Sequence, residues 1–213
     1  MIFGGEKKPV ICLDPGHPSE VGSGTRGRKI TEIRAAWEVA LQAKKRLGKA
    51  GVEVVMTKSR PTEMVRNRVR AEIANKVKAD LMIRLHCDSE GGTGFAIYAP
   101  NKPGVSGKVR GPAPNVITAS VAAATIFHKK YAECLSGVLL NRGLKPDTAT
   151  AVGGKQGALT GSVFSQVPVL LIEMAVLTNP RDDEFMASAK GQDQVADAIT
   201  QAALAVIHAP KKP

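Results

Sequence analysis

Cysteine is nearly absent. Cys12, Cys87 and Cys134 lie far apart and form no C-x-x-C pair, which excludes a disulfide framework and the common structural zinc or redox motifs. They read as small buried hydrophobes. Aromatic residues are scarce as well, with five Phe, two Tyr and one Trp in 213 residues, so the stacking platforms of single-strand nucleic-acid binders are missing. No apolar run approaches the roughly 18 to 20 residues of a membrane span; the longest, residues 167–172 and 121–127, are core-sized. The charged start Met1-Ile2-Phe3-Gly4-Gly5-Glu6-Lys7-Lys8 is not followed by the apolar segment of a secretory signal. Acidic residues are in deficit too: 19 Asp+Glu against 30 Lys+Arg leave a net charge of +11, which favours an anionic neighbour. With so few aromatics, an acidic polymer is expected in preference to nucleic acid.

Hydrophobic residues at 43% and charged residues at 23% are those of a globular chain, and the length suits one domain. The expected division is an extension over residues 1–9, a catalytic domain over 10–208 and a tail over 209–213. Residues 10–13 form an apolar run stopped by Asp14-Pro15-Gly16, a buried strand ended by turn chemistry. Ile33, Ala36, Trp37, Ala40, Leu41 and Leu47 repeat at helical spacing, with Lys44, Lys45 and Arg46 on the wet side and Gly48 to Gly51 closing the helix. A strand over 52–57 precedes a helix opened by Arg60-Pro61-Thr62, with Val65, Val69, Ile73 and Val77 on one face. Residues 81–85 and 95–99 read as strands. Residues 101–115, rich in Pro and Gly and carrying Lys102, Lys108 and Arg110, read as a mobile lid over the substrate. A helix is expected over 119–140, a Gly-rich stretch without period over 143–161, a strand over 167–172 and a helix over 192–207. Strands alternating with helices predict an α/β sheet covered on both faces.

Three of these strands end in ionisable residues: the first in His17, the third in His86 and the last in Glu173. Ligands of open α/β sheets bind at the carboxyl ends of strands, so the three endings are expected to share one crevice. Glu32, in the first turn of the first long helix, supplies a second carboxylate. Two His and one Glu with an open fourth position is the ligand set of a hydrolytic zinc site. Each residue also has a structural reading. His17 suits a turn, His86 a hydrogen-bonded core, and Glu32 a helix-dipole partner. Glu173 stands apart, because a carboxylate directly after six apolar residues is costly to bury without a partner. His128 and His208 fall inside helices away from strand ends and read as structural or surface residues.

The run Ile11-Cys12-Leu13-Asp14-Pro15-Gly16-His17, then Thr31-Glu32, then Arg68 with Ala74-Asn75, then Ala79-Asp80-Leu81-Met82-Ile83-Arg84-Leu85-His86, then Pro168-Val169-Leu170-Leu171-Ile172-Glu173 and Leu177-Thr178-Asn179-Pro180 resembles the zinc-dependent N-acetylmuramoyl-L-alanine amidases of the amidase-3 type. The resemblance implies a single α/β domain with a twisted, mostly parallel sheet of about six strands flanked by helices on both faces. It implies that His17, Glu32 and His86 hold Zn2+ and that Glu173 is the catalytic base on the activated water. It further implies cleavage of the amide between the lactyl group of N-acetylmuramic acid and L-alanine, by a monomer acting on peptidoglycan in the cell wall, the periplasm or outside the cell, with a phage-lysin route equally open. Anionic wall polymers are further expected partners.

The chain departs from the family pattern where Pro18-Ser19 replaces two glycines, where Cys87-Asp88-Ser89 follows the second His, and where Met174-Ala175-Val176 follows Glu173. A stiffer loop after His17 is expected, and strand alternation points Cys87 away from the site. Two rival readings stay open: a zinc peptidase or carboxypeptidase with another amide substrate, and a wall- or nucleic-acid-binding module without catalysis.

Overall fold

The computed structural model describes residues 8–90 and 92–210; most of the expected extension (residues 1–7) and of the expected tail (211–213) lies outside the described residues. Strand β1 (Val10–Pro15) leads into helix α1 (Glu32–Lys49), strand β2 (Glu53–Met56), helix α2 (Asn67–Lys76), strand β3 (Leu81–Asp88) and strand β4 (Phe95–Ala99). A small hairpin, β5 (Gly104–Ser106) and β6 (Val109–Gly111), precedes helix α3 (Pro114–Cys134) and strand β7 (Asn141–Pro146). Short helices α4 (Ala151–Gln156) and α5 (Thr160–Val163), strand β8 (Val169–Val176), and helices α6 (Pro180–Ala187) and α7 (Ala189–Ile207) complete the chain.

The main sheet has six strands in the order β2-β1-β3-β8-β4-β7. β1 pairs in parallel with β2 and β3, and β3 in parallel with β8. β4 is antiparallel to β8 and β7 follows the direction of β4, so the sheet is parallel across four strands and reversed across the last two. The chain leaves β1 to build β2 on one side and β3 on the other, a topological switch point that opens a crevice at the strand ends.

Alternation along the strands separates core from chemistry. Ile11, Leu13, Ile83, Leu85, Cys87, Leu170 and Ile172 face α1, α3 and α7 in the main core. Cys12, Met82 and Val169 point to the opposite face, where Ala74 of α2 covers them. The residues that continue that second face toward the carboxyl ends are Asp14, Arg84, His86 and Glu173. The same period places Cys87 in the core, as expected of a small hydrophobe.

Several expected elements shift. β3 and β8 do not stop at His86 and Glu173 but run on to Asp88 and Val176, because Leu177 and Asp88 continue the backbone ladder. α2 begins at Asn67, several residues after Pro61, and buries Asn67, Arg70, Ala71 and Ala74, whereas Val69 is exposed. Polar burial overrides the apolar stripe there. In α1 Val39 and Ala43 are buried while Leu41 is exposed. α3 starts earlier than expected, with Pro114 in the first turn, where its missing N–H costs nothing.

Candidate active site

His17 follows β1, Glu32 opens α1, and His86 lies near the end of β3; the fold brings one ligand atom from each within 4.8 Å of the others. Glu32 is the hub. Its Oε1 lies 2.9 Å from His86 Nδ1 and 3.5 Å from His17 Nε2, and the two rings meet edge to face at 5.1 Å. Backbone amides fix the carboxylate, Thr25 N–H donating to Oε2 at 2.6 Å and Cys87 N–H to Oε1 at 3.1 Å. His17 Nδ1 is 2.9 Å from the Gly22 carbonyl. A carbonyl only accepts, so Nδ1 is the donor in this contact and Nε2 is the nitrogen turned toward Glu32. Gly24 sits against both Glu32 and His17: with φ at +77°, a Cβ there would lie 2.5 Å from Glu32 Oε2 and 2.7 Å from the His17 ring.

Glu32 and His86 are both shifted in the direction that metal ligation needs. Burial alone would raise Glu32, but the hydrogen bond and charge of His86, then His17 and the Thr25 amide, hold its carboxyl below the usual range. Burial pushes His86 down toward the neutral imidazole, against the pull of Glu32. His86 Nε2 is buried without a hydrogen-bond partner. Two imidazole nitrogens and one carboxylate fit Zn2+, which takes nitrogen and oxygen ligands and leaves a fourth position open in catalytic sites.

Glu173 stands opposite His86 in the β3–β8 register and lines the same cleft of about 210 Å³, together with His17, Arg84 and Leu171. Its Oε2 is buried without a partner. Burial, with Glu32 and Asp88 nearby, pushes its carboxyl well above the usual range, only partly offset by Arg142 and Arg84. A carboxyl group held in this way takes up a proton readily.

A family model described as N-acetylmuramoyl-L-alanine amidase matches residues 11–205. The chain belongs to the N-acetylmuramoyl-L-alanine amidase family. Among curated relatives, amidase AmiA of Escherichia coli is 24% identical over 94% of this chain and 77% of its own length. The germination-specific amidase of Bacillus subtilis is 26% identical over 89% of this chain and 76% of its own length. The solved structure of amidase Ami1 from Mycobacterium smegmatis superposes with a TM-score of 0.75 at 21% identity, covering 93% of this chain and 96% of the other. At that identity the structural likeness shows the fold.

Beneath the His-Glu-His cluster, the amidase carries a buried polar bed. Asp14, fully buried, accepts Thr57 Oγ1–H and Arg70 Nη1–H on Oδ1, both at 2.6 Å, and Arg84 Nε–H on Oδ2 at 3.0 Å. Arg70 also donates to the Pro15 carbonyl at 2.7 Å and the Pro18 carbonyl at 2.9 Å, and Arg84 to Asn67 Oδ1 at 2.6 Å. The stiff turn expected after His17 is thus fixed from below. Lys58 Nζ donates to the carbonyls of Gly16 and Pro61 at 3.2 and 3.0 Å, and to that of His17; burial and then Arg70 bring its pKa down to about 8.

Sequence reasoning missed this bed. It singled out Arg68, which is exposed and pairs with Glu72 at 2.7 Å, whereas the buried arginine two residues later, Arg70, reaches Asp14. Helical pattern alone could not choose between them, since only the depth of the cleft decides. Asn75 ties α2 to the approach of β8, donating to the Phe164 carbonyl at 2.9 Å and accepting from Gln166 N–H at 2.8 Å. The lid expectation is corrected as well. Residues 104–111 form the β5–β6 hairpin, packed on α4 and α5. The cleft of the amidase is lined instead by Thr150, Ala151, Val152, Leu159 and Thr160, from the Gly-rich stretch that showed no period. His128 faces Asn141 Oδ1 at 2.9 Å and His208 is exposed, both away from the cleft.

Proposed function

We propose that this protein is a zinc-dependent peptidoglycan amidase, hydrolysing the bond between the lactyl carbonyl of N-acetylmuramic acid and the nitrogen of L-alanine, with a catalytic domain over residues 10–208. The observation that carries the reading is one cleft holding a His-Glu-His cluster within 4.8 Å and, on the adjacent strand, a buried carboxylate with an unpartnered oxygen. His17, Glu32 and His86 would hold the metal. When bound, zinc supplies Lewis acidity that polarises the scissile carbonyl and makes a water nucleophilic near neutral pH. Glu173 Oε2 takes the proton from the attacking water and delivers it to the departing L-alanine nitrogen. Leu171 and Leu159 line the same cleft.

The surface beside the cleft fits the acidic substrate. A trough of about 500 Å³ shares Thr160 with the cleft and is lined by Arg66 and Lys108, and a further groove continues it past Arg110. Arg66, Lys108 and Arg110 form no ion pair among the described residues, so they are available to stem-peptide carboxylates or anionic wall polymers. No helix among the described residues is long and apolar enough to cross a membrane. Peptidoglycan as substrate implies action outside the cytoplasmic membrane.

The test is zinc content with mass spectrometry of digested peptidoglycan. One equivalent of zinc is expected, with stem peptides released bearing a free L-alanine amine and glycan retaining the lactyl carboxylate. His17→Ala and His86→Ala should each weaken zinc binding at least tenfold. Undiminished zinc in both variants would remove the site, and cleavage within the stem peptide would replace the amidase reading by a peptidase.

A further inference from the structure

α6 presents two adjacent carboxylates, Asp182 and Asp183, each 2% exposed, with different tasks. Asp182 accepts from Thr93 Oγ1–H at 2.6 Å, Gly94 N–H at 2.7 Å and Val176 N–H at 2.9 Å, so it fastens the sheet. Asp183 reaches across to the loop before α1, where it accepts the amides of Arg28 at 2.9 Å, Lys29 at 2.8 Å and Ile30 at 3.2 Å. The contact is built closely on both sides. A Cβ on Gly27 would lie 2.0 Å from Asp183 Oδ1, and Gly27 N–H closes the turn on the Ile30 carbonyl at 2.9 Å.

From that anchor the loop runs directly to two of the metal-binding candidates. Arg26 bridges Thr31, Glu32 N–H donates to the Thr25 carbonyl at 2.9 Å, and Thr25 N–H returns 2.6 Å to Glu32 Oε2. Further back the same loop offers the Gly22 carbonyl to His17 Nδ1 at 2.9 Å. We propose that Asp183 is a positioning residue for the metal centre: through three backbone amides it holds the loop that orients both Glu32 and His17. The inference rests on the zinc reading of the site given above. Groups that hydrogen-bond metal ligands typically contribute 10- to 100-fold in affinity, and Asp183 anchors the loop whose Thr25 amide and Gly22 carbonyl make those bonds to two of the candidates.

Zinc chloride titrated into the metal-free protein tests it. Asp183→Asn should bind zinc about 10- to 100-fold more weakly, and Gly27→Ala, which disturbs the same contact from the loop side, should do the same. Hydrogen exchange at Thr25, Arg28, Lys29 and Ile30 should quicken in both metal-free variants. Asp182→Asn is the control: it should lower the melting temperature and leave zinc affinity within about twofold. Wild-type affinity in both Asp183→Asn and Gly27→Ala overturns the inference, as does an equal loss in Asp182→Asn. Should Asp183→Asn fail to fold, Gly27→Ala carries the decision. Zinc bound with undiminished affinity by His17→Ala and His86→Ala overturns the site and this inference with it, an outcome told apart by variants that leave Asp183 and its loop untouched.

Discussion

On the proposed zinc mechanism, Glu173→Gln is expected to lower turnover by two to four orders of magnitude while the protein stays folded and still binds zinc. A general base contributes about 10² to 10⁴ in rate, or roughly 3 to 5 kcal/mol of barrier, and Gln cannot accept the proton. Nearby carboxylates cannot replace it. Glu32 is engaged by two backbone amides and both histidines, and Asp88 accepts Arg142 at 2.9 Å. The readouts are soluble stem-peptide release and zinc content on one sample. Near-normal turnover would show another group to be the base, and lost zinc would make Glu173 a ligand.

The same substitution should stabilise the metal-free protein at neutral pH. Burial and the neighbouring Glu32 and Asp88 raise the Glu173 carboxyl in the fold, so the unfolded chain ionises first and stability falls as pH rises above the ordinary Glu value of about 4.3. Gln removes that penalty. Each kcal/mol recovered raises the melting temperature by roughly 2 to 4 °C at this chain length.

The largest loss of stability is expected from Asp14→Ala. Its carboxylate is fully buried between Arg70 and Arg84, and removing one member of a buried charge network leaves the others uncompensated, at about 3 to 5 kcal/mol. Typical domain stability is only about 5 to 15 kcal/mol, so a fall in melting temperature on the order of 10 °C should follow. Burial alone would raise Asp14, but Arg70, Arg84 and Thr57 outweigh it and hold it well below the usual carboxylate range. Its contribution is therefore complete above the unfolded value of about 3.9 and is lost as pH falls toward the depressed folded value. Urea unfolding at pH 7 and at pH 3 checks both points. The difference between wild type and Asp14→Ala should shrink in acid, and a wild-type midpoint for the variant at pH 7 would discard the argument.

The sequence by itself determined what depends on near neighbours. The apolar run 10–13 read as a buried strand, and β1 follows, carrying on through Asp14 and Pro15 with His17 just beyond it. Glu32 was expected in the first turn of a helix, and α1 does begin there, with the Thr31 side chain as its cap. The His, Glu and His and the second Glu stood out because each was read at a strand end or a helix start, although β3 and β8 run on past His86 and Glu173. Other signals were present and went unread: Asn179-Pro180 with Asp182 and Asp183 after it opens α6, Asn179 capping and Pro180 at the first turn. β7 gave no signal at all, because Asn141-Arg142-Gly143-Leu144-Lys145-Pro146 is a partly exposed edge strand without alternation.

Only the tertiary structure decided the rest. The direction of β4 and β7, the choice of Arg70 over Arg68 as the partner of Asp14, and the shift of the cleft wall from residues 101–115 to the segment around α4 and α5 all depend on which surfaces meet after the sheet has formed. Local periodicity reports whether a residue faces inward. It does not report which distant charge waits there, and a buried carboxylate such as Asp14 or Asp183 acquires its role only from partners that the fold carries to it from far along the chain.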